Sequence, residues 1–350
     1  MRNLFTRAYL AATLVVSSAF TLGPQTGPCR QLSRIAQQLD DQQYEADRLQ
    51  KDEEARDAMR AEAEKQYADL RTPWKWVIRK RIWDELEAKD IARQPRPVHH
   101  RIPNFDGAGE AAERLAGLEE FQRANLVKVN PDTPQKGVRR AVLESGKTLL
   151  TPQPRLRTGF FSTMTLADVP DGKLAEATTS RGVAKYGTGV SLEDAYTVDL
   201  VVVGSTAVCP ATGARVGKGE GFAELEWGIL TEMGNLDARS VRVVTSVHDA
   251  QVVDDIPRGA LTKHDVPVDI IVTPTRVIRV AERLAKPSGI YWDLLSPEKL
   301  GSIRVLRELK QRIEAETGAK LPEAASEKLP PTAKRTGRPR RSGKSPKNRQ

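Results

Sequence analysis

The sequence predicts an α/β fold, a three-layer sandwich with a largely parallel central sheet, extended by a helical N-terminal segment and a disordered basic C-terminal tail. Three observations predict it. Residues 199–203 read DLVVV, the continuous apolar run of a strand buried on both faces of a parallel sheet. From residue 72 to about 273, short apolar segments alternate with amphipathic ones, the pattern of strands separated by helices. The charge is also uneven: of a net +9, residues 321–350 hold nine Lys/Arg against two Glu, so the rest of the chain carries only +2. At 350 residues there is room for one large domain or two small ones.

Residues 1–30 contain Arg2, Arg7 and Arg30, and the first acid is Asp40. The fifteen residues 8–22 are apolar apart from Thr and Ser, too short a run for a comfortable transmembrane helix. A mitochondrial presequence, a secretory signal and an imperfect gene model all stay open for this segment, and none of them contributes to the fold. Residues 31–71 lack Pro and Gly and hold eleven acids and seven Lys/Arg, which predicts a charged helical linker.

From residue 72 the elements follow in order. A helix starts near Pro73, with Trp76, Ile78, Ile82, Trp83, Leu86 and Ile91 on its buried side. A second helix is expected over 109–123. Strands over 126–129 and 147–151 flank a helix over 134–145. After the 199–203 strand come a helix over 222–233 and strands over 241–247 and 268–273. One more amphipathic helix follows the cap signal Ser296-Pro297-Glu298. The domain so built spans 72–319, and the tail spans 320–350, too rich in Pro, Lys, Arg, Ser and Gly to bury a core. Removing 321–350 is therefore expected to leave the melting temperature unaltered.

Chemistry concentrates in GSTAVCPATGARVGKGEGFAELEWGIL, residues 204–230. Gly217, Gly219 and Gly221 alternate just before the 222–233 helix. Glycines let backbone N–H groups approach an anion, and a helix N-terminus adds a favourable dipole. Arg215 and Lys218 bring positive charge beside the turn. The same glycines would also serve a plain tight connection from strand to helix. Two cysteines, Cys29 and Cys209, do not make a disulfide framework, and four histidines lack the spacing of a zinc site. Magnesium arriving with a nucleotide needs only one or two carboxylates plus phosphate oxygens.

On these residues the chain resembles the 5-formyltetrahydrofolate cyclo-ligases, whose turn reads G-x-R-L-G-x-G-x-G-Y-Y-D. Gly213, Arg215, Val216, Gly217, Gly219, Gly221, Phe222, Ala223 and Glu224 stand in the matching places. Lys75 and Arg79 have the spacing of the family's Lys-x-x-x-Arg helix. Pro152, Arg155 and Arg157 look like its Pro and basic pair, and His264-Asp265 with Val268-Asp269 look like its hD…vD ending. The phrases RPVHHRIPNF, VKVNPDTPQ, LLTPQPRLRTGFF, DLVVVGS, GKGEGFAELEWGIL, VHDAQVVD and VDIIVTPTRVI resemble a divergent branch, the methenyltetrahydrofolate synthetase domain-containing proteins.

The resemblance implies a cyclo-ligase-like fold and an ATP- and Mg2+-dependent reaction. ATP phosphorylates the formyl oxygen of 5-formyltetrahydrofolate, N10 attacks the activated carbon, and phosphate leaves to give 5,10-methenyltetrahydrofolate. It assigns Arg215, Lys218 and Glu224 to catalysis. Lys75, Arg79, Gly217, Lys218, Gly219, Glu220, Gly221 and Phe222 would bind nucleotide, Arg155, Arg157 and Asp132 would bind folate, and Glu224 and Asp265 would hold the metal. Two departures stand out: Phe222-Ala223-Glu224 replaces Tyr-Tyr-Asp, and the loop Asn130–Gln135 keeps only Asp132 acidic. The alternative is a non-catalytic nucleotide- or RNA-binding protein on the same fold. Intracellular nucleotide chemistry favours the mitochondrion as the location, with the cytoplasm as alternative.

Some residues carry two readings. Glu224 either helps to hold Mg2+ or is a favourable charge in the first turn of a helix. His248-Asp249 ends a strand where α/β folds place ligands, as a catalytic pair or a structural one. His99 and His100 bind an anion or pack on the proline-rich turn, and Trp74, Trp76 and Trp83 read as core. The run 334–341, KRTGRPRR, invites comparison with an AT-hook and implies at most a weak contact with nucleic-acid phosphates. The oligomeric state stays open.

Overall fold

The computed structural model describes residues 72–153, 160–327 and 329, together with positions 43, 50, 54, 57, 58, 61, 62 and 64–68. The presequence expected in 1–30, the nucleic-acid contact expected of the tail, and Arg155 and Arg157 lie outside the described residues. The chain divides into two units between Gln66 and Tyr67. In the first, the described positions from 43 to 66 are helical and exposed, as a charged segment without Pro or Gly should be.

The second unit opens with α1 (Pro73–Ala88), whose proline sits in the first turn, where its missing N–H is not needed. A ribbon of β1 (Ala92–Arg93) and β2 (Asn104–Phe105) precedes α2 (Ala108–Ala116) and α3 (Glu119–Arg123). Then follow β3 (Leu126–Val129), α4 (Lys136–Glu144), β4 (Thr148–Pro152), β5 (Phe161–Met164), α5 (Leu174–Ala177), α6 (Ser180–Tyr186) and β6 (Thr188–Val190). After β7 (Leu200–Val203), a short ribbon of β8 (Ala207–Val208) and β9 (Arg215–Val216) leads into α7 (Phe222–Glu232). β10 (Arg242–Ser246), β11 (Ile270–Val272), β12 (Val277–Arg279), α8 (Pro297–Ser302) and α9 (Arg304–Thr317) complete it.

The main sheet runs β12-β11-β10-β7-β3-β4-β5-β6. Its five central strands, β11, β10, β7, β3 and β4, are mutually parallel, while β12 joins β11, β5 joins β4 and β6 joins β5 by antiparallel pairing. The sheet is thus mostly parallel, with helices on both faces. β7 shows why. Val201 and Val203 pack with Trp227, Leu230 and Leu306 on one side, while Leu200 and Val202 pack with Leu115, Val127 and Val142 on the other. Each such side chain contributes roughly 1.5–3 kcal/mol by leaving water. Just before β7, the Asp199 carboxylate accepts the amides of Asn125 and Leu126 at 2.8 and 2.9 Å. A third cluster joins Trp76, Ile82, Trp83 and Leu86 of α1 to Ala207 and Val216 of the β8–β9 ribbon.

Three expectations change. The single helix over 109–123 is two, α2 and α3, separated at Gly117-Leu118. The single C-terminal helix is also two: Ile303 is fully buried with extended backbone (φ −123°), and this breaks α8 from α9. Third, the chain does not leave the body at residue 320. Leu321 N donates to Glu314 Oε1 (2.9 Å), Ala324 N to Leu295 O (3.0 Å) and Glu327 N to Glu298 Oε2 (3.2 Å), so 321–327 lie across α8 and α9. Among the described residues, no helix is long and apolar enough to cross a membrane.

Strand order reverses direction between β3 and β7: β4 leads away on one side, β10 on the other. Crevices at such a switch, beyond the carboxyl ends of the strands, are where α/β sheets bind ligands. Here Asn130 follows β3 and Gly204 follows β7, and both line a cavity of about 440 Å³.

Candidate functional site

One turn of α1 puts Lys75 and Arg79 on the same face, and both are buried. Lys75 Nζ donates to both oxygens of Asp265, at 2.5 and 2.7 Å. Asp265 Oδ2 also accepts the Thr262 amide at 2.8 Å. Burial pushes the Lys75 ammonium down from its ordinary value. Burial also raises the Asp265 carboxyl, but the Lys75 ammonium outweighs it and leaves the acid below the usual carboxylate range. Arg79 Nε donates to Gly217 O at 2.6 Å, and its guanidinium lies 4.6 Å from the centre of the Trp76 ring. Burial pushes this guanidinium down to about 9, against the pull of Glu224 and Asp265.

The glycine turn from Gly217 to Gly221 joins β9 to α7. Gly219 has φ +97°, and a Cβ there would lie 2.7 Å from the Trp76 ring and 3.2 Å from the Arg79 guanidinium carbon, so only glycine fits. Gly221 caps α7 in the left-handed region (φ +72°) and offers no side chain to the first-turn amides, which are left for an anion. Lys218 Nζ stands beside them, 3.1 Å from Asp132 Oδ1 and 3.2 Å from Glu220 Oε2. Burial alone would lower Lys218, but those two carboxylates more than reverse it and raise its pKa.

Arg215, expected to serve catalysis, lines the cavity and is hydrogen-bonded on three sides. Its Nη1 donates to Gly204 O (2.8 Å), its Nε to Val266 O (3.2 Å) and its Nη2 to Glu224 Oε1. These bonds tie β9 to the end of β7, to the loop before β11 and to the first turn of α7. Asp265, expected as a metal ligand, has both its oxygens bonded by Lys75. Among the described residues, no cluster of three His, Cys, Asp or Glu could hold a metal unaided.

The described candidates nonetheless converge. Lys75, Arg79, Asp132, Arg215, Gly217, Lys218, Gly219, Glu220, Gly221, Phe222, Glu224 and Asp265 all line the one cavity. Its histidines are His100 and His264, and His100 has φ +60° and packs its ring against Trp76 and Trp83. His99 bonds Asp84 at 2.8 Å. His248 accepts the Ala250 amide at 3.1 Å and Asp249 accepts Thr273 and Thr275 hydroxyls at 3.0 and 2.9 Å, so this pair shapes a loop. Trp76 and Trp83 are core, as expected, while Trp74 is only half-buried.

Two features escaped sequence reasoning. Lys128, in β3, is fully buried and donates to Glu226 Oε2 at 2.5 Å and Asn130 Oδ1 at 2.8 Å. Burial pushes the Glu226 carboxyl up despite Lys128. The signal was a lysine between two valines in a strand, since a buried charge must find a partner. Lys299 of α8 donates to Glu220 O and lies 4.9 Å over the Phe222 ring. That approach comes from tertiary packing alone.

The model of the 5-formyltetrahydrofolate cyclo-ligase family matches residues 71–274. The chain is similar to the methenyltetrahydrofolate synthase domain-containing protein of Bos taurus, 48% identical over 265 residues, covering 75% of this chain and 68% of that protein. With the Mus musculus protein of the same name it shares 51% over 242 residues, covering 68% and 63%. With that of Homo sapiens it shares 47% over 239 residues, covering 67% and 61%, so the matches span about two-thirds of each relative's length. The solved structure of Aquifex aeolicus 5,10-methenyltetrahydrofolate synthetase aligns with 59% of this chain and 93% of its own at 19% identity, with a TM-score of 0.37.

Proposed function

Because this chain belongs to the 5-formyltetrahydrofolate cyclo-ligase family, we propose that it binds ATP at the glycine turn and closes 5-formyltetrahydrofolate to 5,10-methenyltetrahydrofolate. The observation that supports this best is the turn itself: uncapped amides at the start of α7, with Lys218 beside them and Lys75 and Arg79 facing the same cavity. The γ-phosphate would sit on those amides. The formyl oxygen takes the phosphoryl group and ADP leaves; N10 then attacks the formyl carbon, loses its proton, and phosphate departs with the oxygen. In such a transfer the protein contributes mainly positioning and charge neutralisation.

Lys218 suits that part because its ammonium can exchange Asp132 and Glu220 for phosphate oxygens. Of the described residues, five basic and five acidic side chains line the cavity. The wall is therefore close to neutral, and a triphosphate brings charge that the protein alone leaves uncompensated. Magnesium fits this donor set: with phosphate oxygens it needs one or two carboxylates, and Glu224, early in α7, is the residue we assign to it. It would supply neutralisation of the phosphate oxygens.

Purified protein with ATP, Mg2+ and 5-formyltetrahydrofolate should yield the absorbance of the methenyl product. Lys218→Ala should weaken ATP binding by about tenfold or more in calorimetry, the effect of losing one charge-assisted contact; unchanged affinity would refute the role of Lys218. A second reading, nucleotide binding without turnover, is favoured by one observation: Phe222 meets Lys299 with a ring face where the family presents a hydroxyl. ATP binding without product would establish it.

A further inference from the structure

We propose that the segment after residue 274, beyond the family match, builds the pocket for the nucleotide's base on the far side of the glycine turn. This rests on the nucleotide reading above. A second cavity, of about 170 Å³, shares Arg79, Gly219, Glu220, Gly221 and Glu224 with the first, so the turn is a wall common to both. A phosphate held at the start of α7 leaves the remainder of its molecule at the mouth of this second space.

The walls suit a flat aromatic ring. Ile290, Tyr291, Leu294 and Leu295 supply apolar surface from the C-terminal segment, opposite Trp76 of α1 and Leu225 of α7. The volume is below the roughly 300–1,000 Å³ of a pocket that takes a whole drug-sized ligand, so it accommodates one ring system of a molecule anchored elsewhere. Two polar groups stand at its edge. Lys299 donates, and burial pushes its ammonium down from its ordinary value. Glu327 accepts, its Oε1 holding the Ser296 hydroxyl at 3.3 Å. A donor beside an acceptor answers the edge of a 6-aminopurine, which offers a ring nitrogen beside an exocyclic amine. Lys299 also bonds Glu220 O, so the same side chain links base pocket and phosphate turn.

The test uses the full chain and calorimetry with two ligands, ATP and inorganic tripolyphosphate, which carries the anion without the base. ATP should bind the unaltered protein about tenfold tighter or more. Leu294→Trp, which fills the cavity from a half-buried position, should remove that advantage and leave tripolyphosphate affinity unchanged. Tyr291→Ala should act in the same direction with a smaller loss, and it carries the test if the tryptophan variant fails to fold, as read from its melting temperature. Equal affinity of the unaltered protein for both ligands overturns the base pocket alone. ATP binding unaffected by either substitution overturns it as well, as does an equal loss of both ligands in a folded variant. Binding of neither ligand overturns the nucleotide reading itself.

Discussion

Lys128 lies inside a strand whose neighbours Val127 and Val129 are fully buried, and Glu226 and Asn130 close around its ammonium group. Removing one partner leaves the other buried and uncompensated. Lys128→Met should therefore cost about 3–5 kcal/mol, and Lys128→Met combined with Glu226→Leu should recover most of it. Chemical denaturation of the two variants measures the difference; equal stabilities would contradict the pairing. Gly219 sets a similar constraint on backbone. With φ +97° and the Trp76 ring 2.7 Å from any added Cβ, Gly219→Ala should destabilise by about 1–3 kcal/mol and reshape the anion turn, visible as a lower melting temperature and weaker ATP binding. The two positions also differ in how readable they were. The glycines announced themselves by spacing alone, whereas the fate of Lys128 depended on α7 bringing Glu226 over β3.

At the scale of elements, the C-terminal arm has more structure than its composition suggests. The amides of Leu321 and Glu327 donate to the carboxylates of Glu314 in α9 and Glu298 in α8, and that of Ala324 donates to Leu295 O just before α8. A chain ending at residue 318 should melt about 2–4 °C below one ending at residue 329, the shift expected for roughly 1 kcal/mol; circular dichroism decides it, and equal midpoints would restore the solvated tail expected from 320. What could be read in the sequence sorts by strand type. β7 stands out as an apolar run because both its faces are covered. β5, β6 and β12 do not: Phe161–Met164 mixes Ser and Thr with its apolar residues although it is paired on both sides, while Thr188–Val190 and Val277–Arg279 are the largely exposed edge strands and need no apolar signature. The break at Ile303 was hidden because a buried isoleucine fits a helix pattern and a kinked one equally well. Of the site, the turn and its flanking cations were legible; Lys299 was not, since nothing local ties α8 to Glu220.

For the molecule as a whole, many acids are held by cations, and this sets its response to pH. Arg279 lowers the Glu120 carboxyl, while Asp84 and Asp265 resist the upward push of burial through Lys80 and His99 and through Lys75. Acids whose folded pKa lies below the unfolded value give stability that is complete above the unfolded value and is lost as pH falls through the folded one. Their ordinary values are 4.5 for Glu and 3.8 for Asp. Glu226, raised by burial, runs the opposite way and offsets part of the effect. Urea unfolding should show stability holding down to about pH 5 and falling below it, with Asp265→Asn giving a shallower fall; a molecule that gains stability on acidification would contradict this.

Finally, a ribbon that is greasy on both sides has no sense of left and right. If β7 slid by one place so that Val201 took the position of Leu200, Val would replace Val or Leu at three of its four positions and polarity would raise no objection. Alignment must then come from beyond the strand, and Asp199, gripping the amides of Asn125 and Leu126, is the peg that supplies it. Loss of that carboxylate would leave adhesion between the layers intact while unsettling which residue sits across from which, and with it the place where Gly204 opens onto the cavity.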